Sequence, residues 1–540
     1  MNKFFDLHVH TTLKPMNSYS EEKGYSPVRE CPDHDIWRYR PMKKESWMLD
    51  KDKDSDSKSN LNKAKTGNVK CMVLSLYPFE QGFMKLAGKK ADNNKLFDKA
   101  FANMLGFDEE RVNNLQDRNC NYFADLQVEY NLLKDNKLNN SQSGKWQYVL
   151  VKTYAEIENA IQENKLPIVL SIEGAAAFGL ATGKYYDMEK NNPAEFEKAK
   201  IEYLQNVDKV KSWEYAPLFI SPAHHFYNQV CGMAKSISAD SAIAELIRPL
   251  VINQDYKLPD GRMCYDVGFT DLGKKLLEKL LQEREETING KKVKFKRIFI
   301  DIKHLSGNAR KEYFKFVEKY KTSDGKPGIP IIASHTAVNG FPTIAQAIAQ
   351  KDDIKKSKFK TQITSRYGTR IDWFNRWSIN LTDEEVKKIY ESRGLIGFLL
   401  DETRLSNKWH LKDIHKKSKS EQKEKYMEMF FNHLFHAVGV INNIKGWDIL
   451  TIGSDLDGGI DVMDCYRYKI SNGKHESKGL EALSELGNDL IEFWHKQLNS
   501  SRFNNPSAKP YRKYVYDRTP EYFIEKLMWQ NGMDFLKRWM

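Results

Sequence analysis

The chain has 540 residues, of which 40% are hydrophobic, 12% aromatic and 29% charged. That is enough apolar material for a large core, which excludes global disorder, and no run of about 18 uncharged apolar residues exists to cross a membrane as a helix. The net charge is +12, yet the excess lysine is interleaved with acids in KDKDSDSKSNLNKAK (51–65) and KKSKSEQKEK (416–425). Such runs are solvated loops and helix faces, with no aromatic-basic motif for a nucleic-acid surface, so no nucleic-acid partner is expected.

Six cysteines (Cys31, Cys71, Cys120, Cys231, Cys264, Cys465) lie far apart without a CxxC pair, which argues against a disulfide framework and fits a reducing compartment. The opening MNKFFDLHVH carries Asp6 and two histidines where a signal peptide needs its apolar stretch. A cytoplasmic location is the expectation.

In chain order, eight short apolar runs stand out: 4–10, 69–78, 166–174, 215–225, 297–304, 328–335, 394–402 and 448–458. Each is rich in Ile, Leu, Val or Phe without strict alternation, the pattern of strands buried on both faces of a parallel sheet. Helical periodicity predicts helices over 153–164, 271–285, 308–320, 381–393, 424–441 and 521–540. LTDEE supplies a start signal, with Thr382 as N-cap and Glu385 three residues on. Strands alternating with helices predict a (β/α)8 barrel, whose chemistry sits at the carboxyl ends of the strands. Five of the eight runs end in His or Glu, and two more carry Glu173 or Asp457 just before a closing glycine. The rest reads as insertions on one barrel domain spanning 1–540, at about 11–68, 79–150, 182–212, 233–265, 341–377, 402–425 and 460–518.

His8 and His10 sit two apart on the first run, so their side chains share one face of a strand. Glu173 ends the third run in SIEG, where a carboxylate is costly to bury unless paired or metal-bound. His304 ends IDIKH and His335 ends IIASH. Four imidazoles with a carboxylate able to bridge two ions suit zinc first, then manganese, iron or cobalt. Asp455 in IGSDLDGG is placed to accept a proton from metal-activated water, with Asp457 two residues on as the alternative. His224 could donate to a substrate carbonyl oxygen as charge develops there, beside a structural His225. His433 and His436 lack the adjacent general base of HExxH and read as packing or as support behind the site residues.

The order HxH, IEG, a His after the fourth run, IDIKHLS, PIIASH and LTIGSDLDG resembles the membrane dipeptidase (renal dipeptidase) family of the amidohydrolase superfamily. GFTDLGKKLLEKL (268–280), NLTDEEVKKIYESRGLIGF (380–398), the stretch 433–459 and IEKLMWQNGMDFLKRW (524–539) resemble further landmarks of that family, and together the match touches about half the chain. The resemblance implies a TIM-type barrel of the metal-dependent hydrolase kind that binds two zinc ions. It would cleave an amide bond in a dipeptide-like or N-acyl amino acid substrate. His8 and His10 would hold one ion, His304 and His335 the other, with Glu173 bridging. A metal-bridging hydroxide would be the nucleophile, Asp455 the acid/base and His224 the contact to the scissile carbonyl. Arg376 and Asn228 would bind substrate, and a homodimer is compatible with the family.

Three departures stand against this pattern. The family has H-x-D where this chain has His8-Val9-His10, and it has an Arg gripping the substrate carboxylate where this chain has Ile379, with Arg376 three residues earlier. Long insertions surround the expected cleft. The alternatives are another amidohydrolase-superfamily reaction, on a non-peptide amide, lactone or phosphoester, or a non-catalytic barrel used for binding. DLHVHT also resembles the opening of the polymerase-and-histidinol-phosphatase phosphoesterases, but TTLKPMNSYSEE supplies no acidic residue and further His at the positions those enzymes need before His34.

Overall fold

Every one of the eight apolar runs contains a strand in the computed structural model, which describes residues 3–17, 36–37, 57–84, 107, 109–135, 147–237, 254–288, 290–350, 362–469, 475–499 and 509–540. Much of the sequence read as insertions at 11–68 and 79–150, and parts of those at 233–265, 341–377 and 460–518, lie outside the described residues. The strands in order are β1 (Phe4–Val9), β2 (Val69–Leu76), β3 (Tyr148–Leu150), β4 (Leu166–Glu173), β5 (Phe219–Ser221), β6 (Arg284–Ile288), β7 (Lys291–Phe295), β8 (Phe299–Ile300), β9 (Ile332–Thr336), β10 (Leu395–Phe398), β11 (Leu450–Ile452), β12 (Arg467–Lys469) and β13 (His475–Ser477). β3, β6, β7, β12 and β13 are additions to the predicted set. The fold is mixed α/β and divides into two units, residues 1–9, 62–73 and 314–540, and residues 10–61 and 74–313. β1 ends at the first division and β2 crosses the one between residues 73 and 74. Among the described residues no helix is long and apolar enough to cross a membrane.

In the unit formed by 10–61 and 74–313, β3, β4, β5 and β8 run parallel in that order, with Ser171 opposite Phe219 and Ile220 opposite Ile300. Parallel neighbours cannot be joined by a tight turn and require a crossover. Between β4 and β5 the crossover is Gly183–Asn191 followed by Pro193–Lys211, so the segment 182–212 is part of the α/β frame and not an insertion. Asn192 starts the longer helix by accepting the Glu195 N–H, with Pro193 in the first turn, where its missing N–H costs nothing. Phe196, Tyr203, Val207 and Val210 form its buried face. Helix Asp271–Leu281 buries Leu272, Leu276, Leu277, Leu280 and Leu281, and it stops four residues before the predicted 285. There the chain turns into the hairpin β6–β7, in which Gly290 has φ +75°.

In the unit formed by 1–9, 62–73 and 314–540, β9, β10 and β11 are parallel, with Ile396 central between Ala333 and Leu450. β1 belongs to this unit through a parallel bridge between Val9 and Leu456 and through the Asp455 N–H, which donates to the His8 carbonyl at 2.9 Å. Helix Asp383–Glu391 carries the predicted capping box: Thr382 accepts the Glu385 N–H while the Glu385 carboxylate accepts the Thr382 N–H. The expected closing helix is interrupted by a π-turn at Lys526–Gln530 between Pro520–Glu525 and Asn531–Trp539.

Two glycines let β9, β10 and β11 approach closely. A Cβ on Gly397 would lie 1.9 Å from the Ser334 carbonyl oxygen, and one on Gly453 would lie 1.8 Å from the same atom. Neither strand can move away without breaking its ladder. Gly397→Ala is therefore expected to lower the unfolding free energy by at least about 1–3 kcal/mol. Gly328→Ala, whose Cβ would meet nothing closer than 3.4 Å, should change it little. Urea denaturation of the two variants beside the parent chain checks this.

Candidate functional site

Each unit gathers predicted site residues of its own. In the unit of 10–61 and 74–313 the centre is Glu173, the last residue of β4 and 2% exposed. A carboxylate buried this far from water must be matched by donors or a cation. His10 Nε2 lies 3.0 Å and His224 Nε2 3.3 Å from its Oε2, and His304 Nε2 lies 3.3 Å from its Oε1. All three imidazoles are buried. His304 follows the two-residue β8 and takes a left-handed φ of +64°, a conformation uncommon for a residue with a side chain. Burial holds its pKa well below the ordinary histidine value, against the opposing pull of the Glu173 hydrogen bond. Neutral imidazole is the form that binds a metal. Donor atoms held about 2.1 Å from one tetrahedral ion stand roughly 3.4 Å apart, and the separations around Glu173 are of that size. Imidazole nitrogens with a carboxylate are also the donor types zinc takes. The residues present fit a metal.

In the unit of 1–9, 62–73 and 314–540, His8, His335 and Asp455 come together. The Asp455 carboxylate places one oxygen 3.8 Å from His8 Nε2 and the other 3.7 Å from His335 Nε2, separations longer than a hydrogen bond. The two imidazoles pack with centroids 4.2 Å apart, and His335 Nδ1 lies 2.8 Å from Ser334 Oγ. Asp455 ends the β11 run with φ +54°, in a turn clamped from below by Asp6. The Asp6 carboxylate accepts the His8 N–H at 3.2 Å, the Ser454 N–H at 3.0 Å and the Ser454 hydroxyl. Burial pushes the Asp6 pKa up to about 6, with those three hydrogen bonds pulling the other way.

The expected substrate contacts fare differently. The Asn228 amide donates to the Pro222 carbonyl at 2.5 Å, and its oxygen accepts the Val230 and Cys231 N–H groups at 3.2 Å. Both ends of the side chain brace the loop after β5. Arg376 is buried with its guanidinium carbon 3.8 Å above the Phe341 ring, and desolvation lowers its pKa to about 10. Ile379, at the place of the family's Arg, is buried as well.

Three acidic residues near these clusters escaped the sequence reading. Asp6 speaks in the sequence only against a signal peptide, and nothing local marks it as a clamp. Glu80 holds His224 Nδ1 at 2.6 Å, and its signal was a carboxylate shortly after the second run, in YPFEQG. Glu129, on helix Tyr122–Lys134, accepts the Thr12 hydroxyl and, at 3.0 Å, the Tyr77 N–H; burial lifts its pKa to about 7. Nothing in the local sequence of that helix marked it.

No family model matches the chain, and no curated protein matches it. Solved structures do. A metallopeptidase from Rhodobacter sphaeroides, liganded with a phosphinate mimic of the dipeptide L-Ala-D-Ala, is similar at TM-score 0.46 and 13% identity, over 100% of this chain and 99% of that one. A dipeptidase described as a metallopeptidase is similar at TM-score 0.44 and 14% identity, over 99% and 98% of the two chains. A probable dipeptidase from Pseudomonas aeruginosa gives TM-score 0.43 and 13% identity over 90% of each.

His433 and His436 are engaged in packing. His436 Nδ1 lies 2.8 Å from Thr369 Oγ1 and its Nε2 2.9 Å from Asp383 Oδ1. His433 stacks on Phe374 at 4.3 Å, its Nε2 is 2.9 Å from the Leu405 carbonyl oxygen, and its Nδ1 accepts the Val338 N–H. Burial pushes the His433 pKa down to about 3, against about 6.5 when exposed. Between those values the unfolded chain binds a proton that the native fold refuses, so this contribution is complete above pH 6.5 and is lost as pH falls towards 3. The expected loss of stability from this group between pH 7 and pH 5 is about 2 kcal/mol. His433→Gln should lose correspondingly less over that interval in denaturation curves.

Proposed function

We propose that the protein is a metal-dependent hydrolase that cleaves an amide bond in a dipeptide-like or N-acyl amino acid substrate. In this reading His8, His10, Glu173, His304 and His335 hold two zinc ions. What carries it is the buried Glu173 carboxylate with three imidazole Nε2 atoms at 3.0–3.3 Å. The motif order resembling the membrane dipeptidase family supports it independently. When bound, the metal supplies Lewis acidity and a water acidic enough to attack near neutral pH.

The chain's own residues have separate tasks. Asp455, whose carboxylate oxygens stand 3.8 Å from His8 Nε2 and 3.7 Å from His335 Nε2, would take a proton from the attacking water and return it to the departing amine. The clamp of Asp6 on Ser454 keeps that carboxylate in its turn. His224 Nε2 is directed at Glu173, from which a neighbouring carbonyl oxygen could be contacted. Arg376 is the candidate grip for a substrate carboxylate, since Ile379 offers none. The action on small substrates in a cytoplasmic setting is part of the same proposal.

Elemental analysis of the purified protein, paired with a panel of dipeptides and N-acyl amino acids, tests the reading. His304→Ala should lower the metal bound per chain, and full occupancy in that variant would contradict the ligand assignment. Asp455→Asn should keep its metal while turnover falls about two orders of magnitude or more. Arg376→Ala should raise KM for substrates with a free C-terminal carboxylate and leave amidated ones unchanged; an equal effect on both would remove the grip.

A further inference from the structure

We propose that Glu80 is a positioning residue for His224, fixing which ring nitrogen faces the Glu173 carboxylate. The inference rests on the hydrolase reading for its consequence in turnover, and on geometry alone for the pairing itself. Glu80 stands just beyond β2, before the single helical turn Gln81–Phe83, and is 4% exposed.

One of its carboxylate oxygens, Oε2, collects three groups. The Tyr77 hydroxyl donates to it at 3.1 Å, the His225 N–H donates at 3.3 Å, and His224 Nδ1 lies 2.6 Å away. Two of these are donors whatever the state of the histidine. An ionised carboxylate oxygen only accepts, so Nδ1 bears a proton. Nε2 is then the atom turned to Glu173, at 3.3 Å.

An imidazole flipped by half a turn about its Cβ–Cγ bond occupies nearly the same volume, so packing alone selects between the two orientations weakly. Here the neighbours are rings: Tyr77 at 4.7 Å, His225 at 3.9 Å and His304 at 4.6 Å between centroids. A flip would replace Nδ1 by carbon at Glu80 and Nε2 by carbon at Glu173, and would lose both contacts. Carboxylates placed behind working imidazoles act in this way in metal sites generally.

The turn that carries Glu80 is itself fixed. A Cβ on Gly82 would lie 2.3 Å from the Phe226 ring, and Phe83 packs edge-on against His225 and Phe226. Glu80 therefore meets the 224–226 segment from a stiff support. His225 is held separately, its Nδ1 2.6 Å from Ser236 Oγ, so the pairing with Glu80 is particular to His224.

The test uses the full-length protein as purified, labelled with 15N-histidine, with the His224 resonances identified by their loss in His224→Asn. In the parent chain the His224 signal should be that of an Nδ1-protonated ring. Glu80→Ala should move it to the other tautomer or to a mixture, whereas Glu80→Gln, whose amide oxygen still accepts, should restore the parent pattern. With the best substrate of the panel, Glu80→Ala should lower kcat about 10–100-fold with little change in KM or bound metal, and Glu80→Gln should recover most of it. An unchanged His224 tautomer in Glu80→Ala would overturn the proposal, and so would unchanged kcat beside an altered tautomer. If no substrate is cleaved the hydrolase reading fails, and the resonance comparison alone decides the pairing.

Discussion

A buried carboxylate is the demand around which one of the two units is arranged. Glu173 ends β4 with 2% of its surface exposed, and an isolated ion in that position would cost several kcal/mol even after relaxation. The chain meets the demand with imidazoles from three separate places: His10 just after β1, His224 in the loop after β5 and His304 just after β8. Burial keeps His304 from protonating readily, so the cluster is more than an ion network in which each histidine simply neutralises the acid. It combines one carboxylate with ring nitrogens whose remaining capacity suits a cation. Loss of any single imidazole would leave the others holding a worse-solvated Glu173.

Delivering those side chains asks unusual conformations of the backbone. His304 and Asp455 both adopt left-handed φ values, +64° and +54°, at the ends of short strands. Gly174, directly after Glu173, has φ +82° and turns the chain sharply away from β4. Strain of about 1–3 kcal/mol at each such non-glycine position persists only where surrounding contacts over-determine it. For Asp455 those contacts are visible: its N–H is bonded to the His8 carbonyl, and Asp6 grips the preceding Ser454. Asp6 also receives the His8 N–H, so one buried carboxylate sets the end of β1 and the turn after β11 together.

This coupling explains what could be seen in the sequence. The strand-end residues were legible because β1, β4, β8, β9 and β11 read as apolar runs, and a polar residue closing such a run has few reasons to be there. His8, Glu173, His304, His335 and Asp455 all stood out in that way. Glu80 did not, since it comes after two further residues and a proline, where a carboxylate reads as the start of a loop. Glu129 is one acid among several on a helix, and only the fold brings it to Thr12 and Tyr77. The crossover helix Pro193–Lys211 was hidden by its charge, because a helix covering one face of a sheet leaves the rest of its surface to lysine and glutamate. Hairpin β6–β7 was obscured by the opposite error, in which QERE (282–285) prolonged a leucine-rich helix whose pattern had already ended.

Histidines in this chain also separate into two kinds by what their nitrogens meet. The pair on helix Lys419–Ile441 is closed on itself: His433 spends its nitrogens on main-chain groups and an aromatic face, while His436 lies between Thr369 and an Asp383 that Tyr367 also binds. Every bond there ties one element to another, which is the work of packing. His224 is different because its two nitrogens face two carboxylates, one at 2.6 Å and one at 3.3 Å. The nearer acid takes the Nδ1 proton, and the opposite nitrogen is directed at the farther one. An arrangement that spends a second buried carboxylate on orienting one imidazole is hard to account for by stability, since two well-packed apolar groups would serve the fold equally well. It is readily accounted for if the direction of that nitrogen matters to something that binds at Glu173.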